Sequence, residues 1–363
     1  MQNSSVLTTS AVTYGDSHVF QESVYTYNYT HFDEHDSPCI TDLWSKRLDM
    51  VYLLLNSLTC LLGVIGNGLV IFLTGFRMKK TIKTFFFLNL AIADFTFASY
   101  LSLNIAYVAL DFHWPFGSIM CKLKNSMTLL NLYSSVFFLM VISINRFKTA
   151  RNPLWAQNYQ TPRCALFVAL GVWILSLVLS SPYIYYNEIV SGPHNVTRCI
   201  TSYGHTQEQA THTIYAIFIS RFILAFIIPF SVITACYRAM VSRLRGRQLA
   251  QSRKPFKVIV AVTVVFFVCW FPYHFFSFFI LQHSGNCELL LVSFITNYLS
   301  CCLAYFNSCL NPIIYIFMGH GYRKWLGWSL LSAMENAFSD DNISRRTNAK
   351  DHFPTMQEES TDL

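Results

Sequence analysis

Long apolar stretches separated by short polar segments dominate the sequence. Seven of these stretches reach the roughly 20 residues that an α-helix needs to cross the hydrocarbon core of a bilayer. Lipid offers no hydrogen-bond partner to a free backbone amide, so only a helix or a closed barrel can span it. The stretches lack the alternating pattern of a membrane β-barrel, which repeats over segments of about ten residues. We therefore predict an all-α membrane protein, a seven-transmembrane helix bundle.

The predicted spans divide the chain into four parts. They lie near residues 50–76, 85–108, 122–147, 164–186, 214–240, 258–281 and 289–317. Residues 1–49 form an N-terminal segment, and residues 50–317 form the bundle. Residues 318–338 place aromatic side chains beside basic ones, which is typical of a short amphipathic helix at a membrane interface. Residues 339–363 are polar and mixed in charge, and we expect a disordered tail.

Composition and charge placement agree with a membrane protein. Only 12% of the residues are charged, against roughly 25% in soluble domains. The net charge of +7 could indicate nucleic acid as a partner, but the basic residues gather in three loops that contain no Asp or Glu. Lys and Arg accumulate in cytoplasmic loops of membrane proteins. We therefore predict a multi-pass plasma-membrane protein with an extracellular N-terminus and a cytoplasmic C-terminus, in contact with membrane lipids and not with nucleic acid.

Three possible glycosylation sites lie on the predicted outer side. Asn3, Asn28 and Asn195 each begin an Asn-X-Ser/Thr triplet, which is the acceptor sequence for N-linked glycans. Such triplets also arise by chance. Their agreement with the orientation that the charges predict favours glycosylation.

Asp94 lies in the middle of the second predicted span, where an ionised carboxylate needs a cation or hydrogen-bond donors. Other polar side chains occur at depths from which they could reach it. They are Asn67, Asn131, Ser135, Asn307, Ser308 and Asn311. The cluster predicts either a site for a small cation such as sodium or a hydrogen-bond network that packs the helices, and the two interpretations are compatible. We expect no other metal and no cofactor.

Prolines interrupt two of the later spans beside aromatic residues. Pro272 follows Trp270 and Phe271, and Pro312 is followed by Tyr315. Proline removes a backbone hydrogen bond and bends a helix. These positions predict hinges at which the rotation of a ring could accompany a helix movement.

These residues, taken in order, resemble the rhodopsin family (class A) of G-protein-coupled receptors. The resemblance covers residues 45–335 and is carried by Asn67, Asp94, Trp173 and residues 269–272 and 311–315. Within the family, residues 76–81, 113–117, 153–158 and 306–312 resemble the chemoattractant branch. That branch includes the formyl-peptide receptors, the chemerin or chemokine-like receptors and the chemoattractant prostaglandin D2 receptor.

The resemblance implies a disulfide between Cys121, at the outer end of the third span, and Cys199 in the second outer loop. Two further outer cysteines, Cys39 and Cys287, would form a second bridge as in chemokine receptors, or remain free thiols. The outer face of a cell is oxidising, which permits both bridges.

Arg221 is the lone basic residue of the fifth span. An arginine that faces lipid at this depth carries a large energetic cost, so Arg221 should face the cavity of the bundle. Its planar guanidinium matches a carboxylate in bidentate geometry. We predict that it receives an acidic group of the ligand, such as a peptide C-terminus; the alternative is pairing with the second outer loop or reaching to the interface. The predicted cavity is lined by Asn125, Leu129, Tyr133, Trp270, Tyr273, His274, Asn297 and Tyr305.

Two positions depart from the formyl-peptide receptors. Leu129 stands where those receptors have an acidic residue, and Ile217 stands where they have a second arginine. These departures argue against recognition of formyl-methionine.

Arg146 ends the third span and is preceded by Asn145. The resemblance implies that an Asp before this arginine restrains it at rest and that the arginine contacts the G protein on activation. A neutral Asn predicts a weaker restraint, with raised basal activity or altered coupling. Tyr237 and Tyr315 are the expected partners of Arg146 in the active arrangement.

The sequence therefore predicts a receptor for an extracellular chemoattractant or inflammatory mediator, a peptide or protein such as chemerin, that signals through an inhibitory-class G protein and arrestin. The alternatives are a receptor for an acidic lipid mediator of the prostaglandin or resolvin type, and a decoy receptor with weak coupling. An ion-coupled transporter built around Asp94 is disfavoured because no internal repeat is visible, and no catalytic pattern indicates an enzyme. Hydroxyl residues of the tail could be phosphorylated, and Leu363 could be captured by a PDZ domain.

Overall fold

The computed structural model describes residues 42–78, 81–152, 161–192, 195–204, 206–244, 253–280 and 287–319. The helices are α1 (Asp42–Phe72), α2 (Ile82–Ala109), α3 (Gly117–Arg151), α4 (Pro162–Ser180), α5 (Pro182–Tyr186), α6 (Gln207–Phe222), α7 (Ile228–Leu244), α8 (Arg253–Ile280) and α9 (Cys287–Gly319). The strands are β1 (Asn187–Ser191) and β2 (Thr197–Thr201). Single π-helical turns follow α1 at Leu73–Arg77 and join α6 to α7 at Ile223–Ile227.

Long apolar helices account for the predicted spans. Six stretches of the described residues are long and apolar enough to cross a bilayer, namely Lys46–Arg77, Ile82–Ala109, Gly117–Arg151, Pro162–Tyr186, Glu208–Ser242 and Lys257–Phe278. The helix α9 coincides with the seventh predicted span and packs against α1, α2 and α8. The described part of the chain is therefore a bundle of seven long helical segments.

The core of the bundle surrounds α3. Of the most apolar window of α3, 72% is buried, against 28% for the α4–α5 stretch. The side chains of Leu132, Val136, Phe266 and Trp270 are fully buried in this core. By contrast, α4 exposes large apolar residues such as Ile174. An exposed apolar surface is expected of a helix that borders lipid.

The fifth span contains a π-helical turn just before Pro229. Pro229 has no amide hydrogen, and its ring would clash with the carbonyl one turn earlier in a regular helix. The preceding turn widens into a π-helical turn, in which the Ile228 amide donates to the Ile223 carbonyl. The extra residue relieves the clash and changes the rotational register of α6, which carries Arg221, relative to α7.

A β-hairpin covers one end of the bundle. β1 and β2 pair in antiparallel register, and the predicted disulfide between Cys121 and Cys199 is formed. The side chain of Asn125 also holds the hairpin, because its amide donates to Asn187 Oδ1 at 3.0 Å and to Thr201 Oγ1 at 2.7 Å. We call this the disulfide end, and we call the opposite end, at Arg77, Arg146 and Arg238, the basic end.

The kinked α9 packs closely against α1. A Cβ atom placed on Gly66 would lie 2.9 Å from Cβ of Pro312. Real side chains do not approach so closely, so only glycine allows this contact. Gly66 therefore fixes the approach of α1 to the proline turn of α9.

The structure differs from the sequence prediction in two respects. The hairpin was not predicted, and most helices run a few residues beyond the predicted apolar spans, as α3 does at both ends. The predicted helix at 318–338 lies outside the described residues except for its first two residues, which belong to α9. The tail and its Leu363, the glycan sites Asn3 and Asn28, and Cys39 with its proposed bridge also lie outside the described residues.

Candidate functional site

Arg221 lies two residues before the π-helical turn and is buried, with 3% of its surface exposed. Its guanidinium reaches α8, where Nη1 donates to Tyr273 Oη at 3.0 Å and Nη2 donates to Ser277 Oγ at 3.0 Å. Tyr273 and Ser277 are four residues apart and therefore share one face of α8. We call these three residues the arginine clamp.

Aromatic groups enclose the clamp. The guanidinium carbon of Arg221 lies 4.6 Å from the ring centroids of Phe218 and Tyr273. The phenols of Tyr133, Tyr183 and Tyr203 lie within electrostatic range of its charge. Burial raises the pKa of the loop residue Tyr203, so its phenol stays neutral. The aromatic surroundings therefore supply polarisable neutral groups to a buried cation.

No carboxylate pairs with Arg221 among the described residues. Its Nε is buried and has no hydrogen-bond partner there. A buried charge without a counter-ion is costly. Among the described residues, the clamp therefore has an uncompensated positive charge and an N–H donor without an acceptor.

Other polar atoms near the clamp lack partners within the described part of the chain. They are Trp270 Nε1, Tyr183 Oη and both ring nitrogens of His274. His274 is fully buried, and its ring packs against Phe222 and Phe226 with centroid distances of 5.7 Å. Such unsatisfied groups point to a ligand or to ordered water.

The remaining predicted lining residues occupy different places. Leu129 and Tyr133 are buried on α3, and Tyr133 lies near both Tyr273 and Arg221. The ring of Tyr305 packs against Phe97 at 5.3 Å. Asn297 is half-buried on α9.

Asn125, predicted as a lining residue, has both of its described side-chain contacts with the hairpin rather than with the arginine clamp. The structure therefore brings Tyr133, Trp270, Tyr273 and His274 around Arg221 and ties Asn125 to the hairpin.

A second buried cation was missed by the sequence reasoning. Lys124 is 5% exposed, and its ammonium nitrogen lies 4.6 Å from the ring centroid of Tyr107 and 5.7 Å from that of Trp114. Cation–π contacts of this kind stabilise a desolvated ammonium group. Trp114 is also held by the hairpin, because its amide donates to the Thr197 carbonyl at 2.8 Å. Lys124 thus belongs to the packing of the disulfide end, and its position three residues after Cys121 was the available signal.

The polar side chains around Asp94 converge as the sequence suggested. Oδ1 of Asp94 accepts from Asn131 Nδ2 at 2.9 Å and from Ser135 Oγ at 3.4 Å, and Oδ2 accepts from Asn311 Nδ2 at 2.7 Å. Ser308 Oγ in turn donates to Asn131 Oδ1 at 3.2 Å.

Asn67 joins this cluster through its amide, which donates to the Ser308 carbonyl at 2.8 Å. Three amide oxygens of the cluster, on Asn67, Asn307 and Asn311, are buried without a hydrogen-bond partner in the described structure. A carboxylate with surplus oxygen acceptors is the ligand type that hard cations prefer.

At the basic end, Tyr237 ties three spans together. Its hydroxyl accepts from Ser143 Oγ at 3.1 Å and lies 3.2 Å from Thr263 Oγ1. Asn145 and Arg146 are half-buried one turn further along α3, and the charge of Arg146 acts on the Tyr237 phenol. Tyr237 therefore lies within electrostatic range of Arg146, and its role as the partner of Arg146 in the active arrangement stays a prediction.

The other expected partner of Arg146, Tyr315, is buried against Phe87, with ring centroids 5.5 Å apart. The two prolines that were predicted as hinges lie inside helices, and their role as hinges stays a prediction. Pro272 lies inside α8 and Pro312 inside α9.

Comparison with known proteins identifies what the chain resembles. The sequence profile of the 7 transmembrane receptor (rhodopsin family) matches residues 66–315. Chemerin-like receptor 1 of Rattus norvegicus is 38% identical over 312 residues, covering 82% of this chain and 83% of the relative.

Two other relatives are similarly close. The C3a anaphylatoxin chemotactic receptor of Oncorhynchus mykiss is 36% identical over 330 residues, covering 89% of each chain. N-formyl peptide receptor 3 of Homo sapiens is 36% identical over 324 residues, covering 86% of this chain and 91% of the relative. These matches agree with seven membrane crossings and with the chemoattractant branch.

Proposed function

Because the chain belongs to the rhodopsin family of seven-transmembrane receptors, we propose that it responds to an extracellular peptide or protein chemoattractant whose carboxylate binds Arg221. The protein is a multi-pass membrane receptor of chemoattractant type and not an enzyme. The proposal concerns the class of ligand and the residue that anchors it.

One observation carries the proposal: a fully enclosed guanidinium has no acidic partner among the described residues. An arginine has five N–H donors. Tyr273 and Ser277 each take one of them, and the Nε–H of Arg221 is left without a partner. A ligand carboxylate would supply the missing negative charge and accept a hydrogen bond from this Nε–H.

The relatives favour a peptide or protein over other acids. Their names describe receptors for chemerin-like, C3a and N-formyl peptide ligands. Ile217 stands where the formyl-peptide receptors have a second arginine, so the site offers a single cation to a single carboxylate.

A thermodynamic cycle tests the anchor. Chemerin-type, C3a-type and formyl peptides are compared as free acids and as C-terminal amides, on the wild type and on Arg221→Ala, with calcium mobilisation as readout. For the active peptide, we expect amidation to lower potency about tenfold to a hundredfold on the wild type, the usual effect of losing a charged hydrogen bond. Amidation should have no effect on Arg221→Ala.

An active peptide whose acid and amide forms are equally potent on the wild type would contradict the anchor role, even if the variant failed to fold. Prostanoids and resolvins belong in the same panel, because Arg221 would also bind a fatty carboxylate. A response to one of these, with none to any peptide, would replace the peptide proposal by the lipid one.

We further propose coupling to an inhibitory-class G protein, with arrestin recruited to the phosphorylated tail. The polar contacts of Tyr237 with Ser143 and Thr263 connect the third, fifth and sixth spans at the basic end, where a moving sixth span would open a binding surface. Loss of the response after ADP-ribosylation of inhibitory G proteins would support this coupling. Ligand uptake with arrestin recruitment and no G-protein activation would indicate a decoy instead.

We also propose a sodium ion at Asp94. Asp94, the hydroxyls of Ser135 and Ser308 and the partnerless oxygens of Asn307 and Asn311 provide an oxygen-rich cluster. Sodium should raise the thermal stability of the purified wild type relative to choline at equal ionic strength, and Asp94→Asn should abolish the difference. A sodium effect that survives in Asp94→Asn would refute the site.

The orientation proposed from the charges can be checked at Asn195. This residue is exposed at the turn of the hairpin with φ of 60°, a left-handed conformation that Asn tolerates. We expect glycosidase treatment to shift the electrophoretic mobility of the receptor from intact cells. The shift should be smaller for Asn195→Gln, and it should equal that of the wild type for Thr197→Ser, which keeps the acceptor triplet. A disulfide end located in the cytosol would overturn the orientation.

A further inference from the structure

A cavity of about 270 Å³ opens between α2, α3 and α4 at the basic end, on the side of the bundle away from the arginine clamp. Its walls are Ile82 and Phe86 of α2, Val141, Ile144, Asn145 and Lys148 of α3, and Thr161, Cys164, Ala165 and Val168 around the start of α4. Protein interiors are close-packed and rarely leave spaces of this size. The cavity is therefore a feature that calls for an occupant.

The mouth of the cavity faces lipid. Val168 is 37% exposed, and Cys164 and Lys148 are exposed as well. On the same helix, Phe167 is 72% exposed and Leu170 is 47% exposed, so this side of α4 borders the hydrocarbon. A molecule can enter from the bilayer without passing through the helix bundle.

The chemistry of the walls changes along the cavity. Phe86, Val141 and Val168 form an apolar part, whereas Asn145 and Lys148 form a polar part at the basic end. This pattern fits an amphiphile, with its hydrocarbon chain between the helices and its headgroup at the membrane surface.

The charges near the polar part are positive. Lys83 follows the wall residue Ile82 in the sequence, and Arg163 precedes the wall residue Cys164. The sequence has no Asp or Glu in residues 77–93 or 141–170. Asp94, on the same helix as Phe86, lies eight residues beyond it, about 12 Å along the axis. An anionic headgroup would therefore meet cations from these two stretches and no acid from either of them.

Asn145 contributes to this charge pattern. An Asp at this position, which the family resemblance would lead one to expect, would place a negative charge in the wall itself. Like charges brought together out of water repel strongly. The neutral side chain keeps the cavity compatible with an anion.

We propose that this cavity binds one acyl chain of an anionic phospholipid of the cytoplasmic leaflet, with the headgroup at Lys148. The volume is below the roughly 300–1,000 Å³ of pockets that enclose a whole drug-sized ligand, so it suits a single chain rather than an entire lipid. The cytoplasmic leaflet carries the anionic lipids that attract basic residues near the surface. The choice of leaflet rests on the orientation proposed above.

Photolabelling tests the proposal on the purified full-length receptor in phosphatidylcholine nanodiscs. Phosphatidylserine with a diazirine in one acyl chain is activated by light, and the labelled peptides are mapped by mass spectrometry. We expect saturable labelling of peptides that contain Val141 and Ala165. Val168→Trp should block the mouth and lower this labelling about tenfold, the effect of excluding a few buried methylene groups.

Matched variants show whether the effect is specific. Leu170→Trp makes the same kind of change on the lipid face outside the cavity and should leave the labelling unchanged. Lys148→Ala should remove the preference for phosphatidylserine over phosphatidylcholine carrying the same diazirine chain, whereas Arg238→Ala, which removes an exposed cation elsewhere at the basic end, should not. Asn145→Asp should weaken the preference.

Three results would overturn the proposal. The first is labelling that spreads over the whole lipid face of α4 and is insensitive to Val168→Trp. The second is stronger, saturable labelling by a diazirine fatty acid that phosphatidylserine fails to displace. The third is a thioester-linked acyl group on Cys164. The assay uses neither peptide ligand nor G protein, so its outcome is independent of the proposed ligand.

Discussion

Replacing Arg221 by Met distinguishes a lone buried cation from one that has an acidic partner. Arg221 is buried, with 3% of its surface exposed, and its guanidinium is held by two neutral hydroxyls and two aromatic rings. If a carboxylate paired with the guanidinium, removal of the cation would leave that carboxylate buried without a counter-ion and would lower the free energy of unfolding by about 3–5 kcal/mol. Without such a partner, the variant loses two hydrogen bonds but also escapes a desolvation penalty of several kcal/mol.

We therefore expect Arg221→Met to lie within about 1 kcal/mol of the wild type in the free energy of unfolding, or to be more stable, because losses and gains of similar size oppose each other. The assay is thermal and denaturant unfolding of the ligand-free receptor in detergent, followed with a thiol-reactive dye. A destabilisation of about 3 kcal/mol or more would reveal an acidic partner and refute the reasoning.

A double-mutant cycle checks the same clamp. In the wild type, Tyr273→Phe keeps the ring that covers the guanidinium but removes the acceptor of Nη1, which should cost about 1.5–3 kcal/mol for a charged group. In the Arg221→Met background the same substitution should cost almost nothing. Equal costs in both backgrounds would show that the hydroxyl of Tyr273 does not serve the arginine.

Four further outcomes are expected. Gly66→Ala should destabilise the receptor by about 1–3 kcal/mol, because the added Cβ has no room beside Pro312 of the seventh span. Gly171→Ala is the matched control: nothing lies within 4 Å of its added Cβ, and the free energy of unfolding should rise by up to about 1 kcal/mol. Trp173→Phe should cost about 1–3 kcal/mol, since it removes the 3.0 Å bond to Asn89 Oδ1 and leaves that buried acceptor unpaired; no loss of stability would count against the bond. Asn145→Asp should lower basal G-protein signalling at equal surface expression, and unchanged signalling would remove the idea of a weakened restraint.

The spans were predictable because lipid leaves little freedom. A crossing segment must be long, apolar and hydrogen-bonded within itself, and each requirement is visible in the sequence. The ends were less predictable, since the helices continue into polar segments where water satisfies the side chains. Thus α3 begins at Gly117 and ends at Arg151, outside the apolar stretch. The hairpin was missed because its strands are only five residues long.

Polar residues of the site were predictable only where their presence in lipid is costly. Arg221 and Asp94 stood out for this reason, and both lie where polar groups converge. Ser277 did not stand out, because a serine in a helix can satisfy its hydroxyl on its own backbone, as Ser277 also does with the Tyr273 carbonyl. Lys124 was overlooked because a lysine near the end of a span normally reaches to the interface.

The π-helical turn at Ile223–Ile227 has a consequence for the construction of hybrid receptors. Its additional residue sets the faces of α6 and α7 out of phase, by about 100° for one helical residue. Deleting a residue here would swing Arg221 away from α8 while leaving the other half of the helix in place. Hybrids that take the part of the fifth span before this turn from one relative and the part after it from another should therefore be joined outside the turn, so that its five residues come intact from one parent.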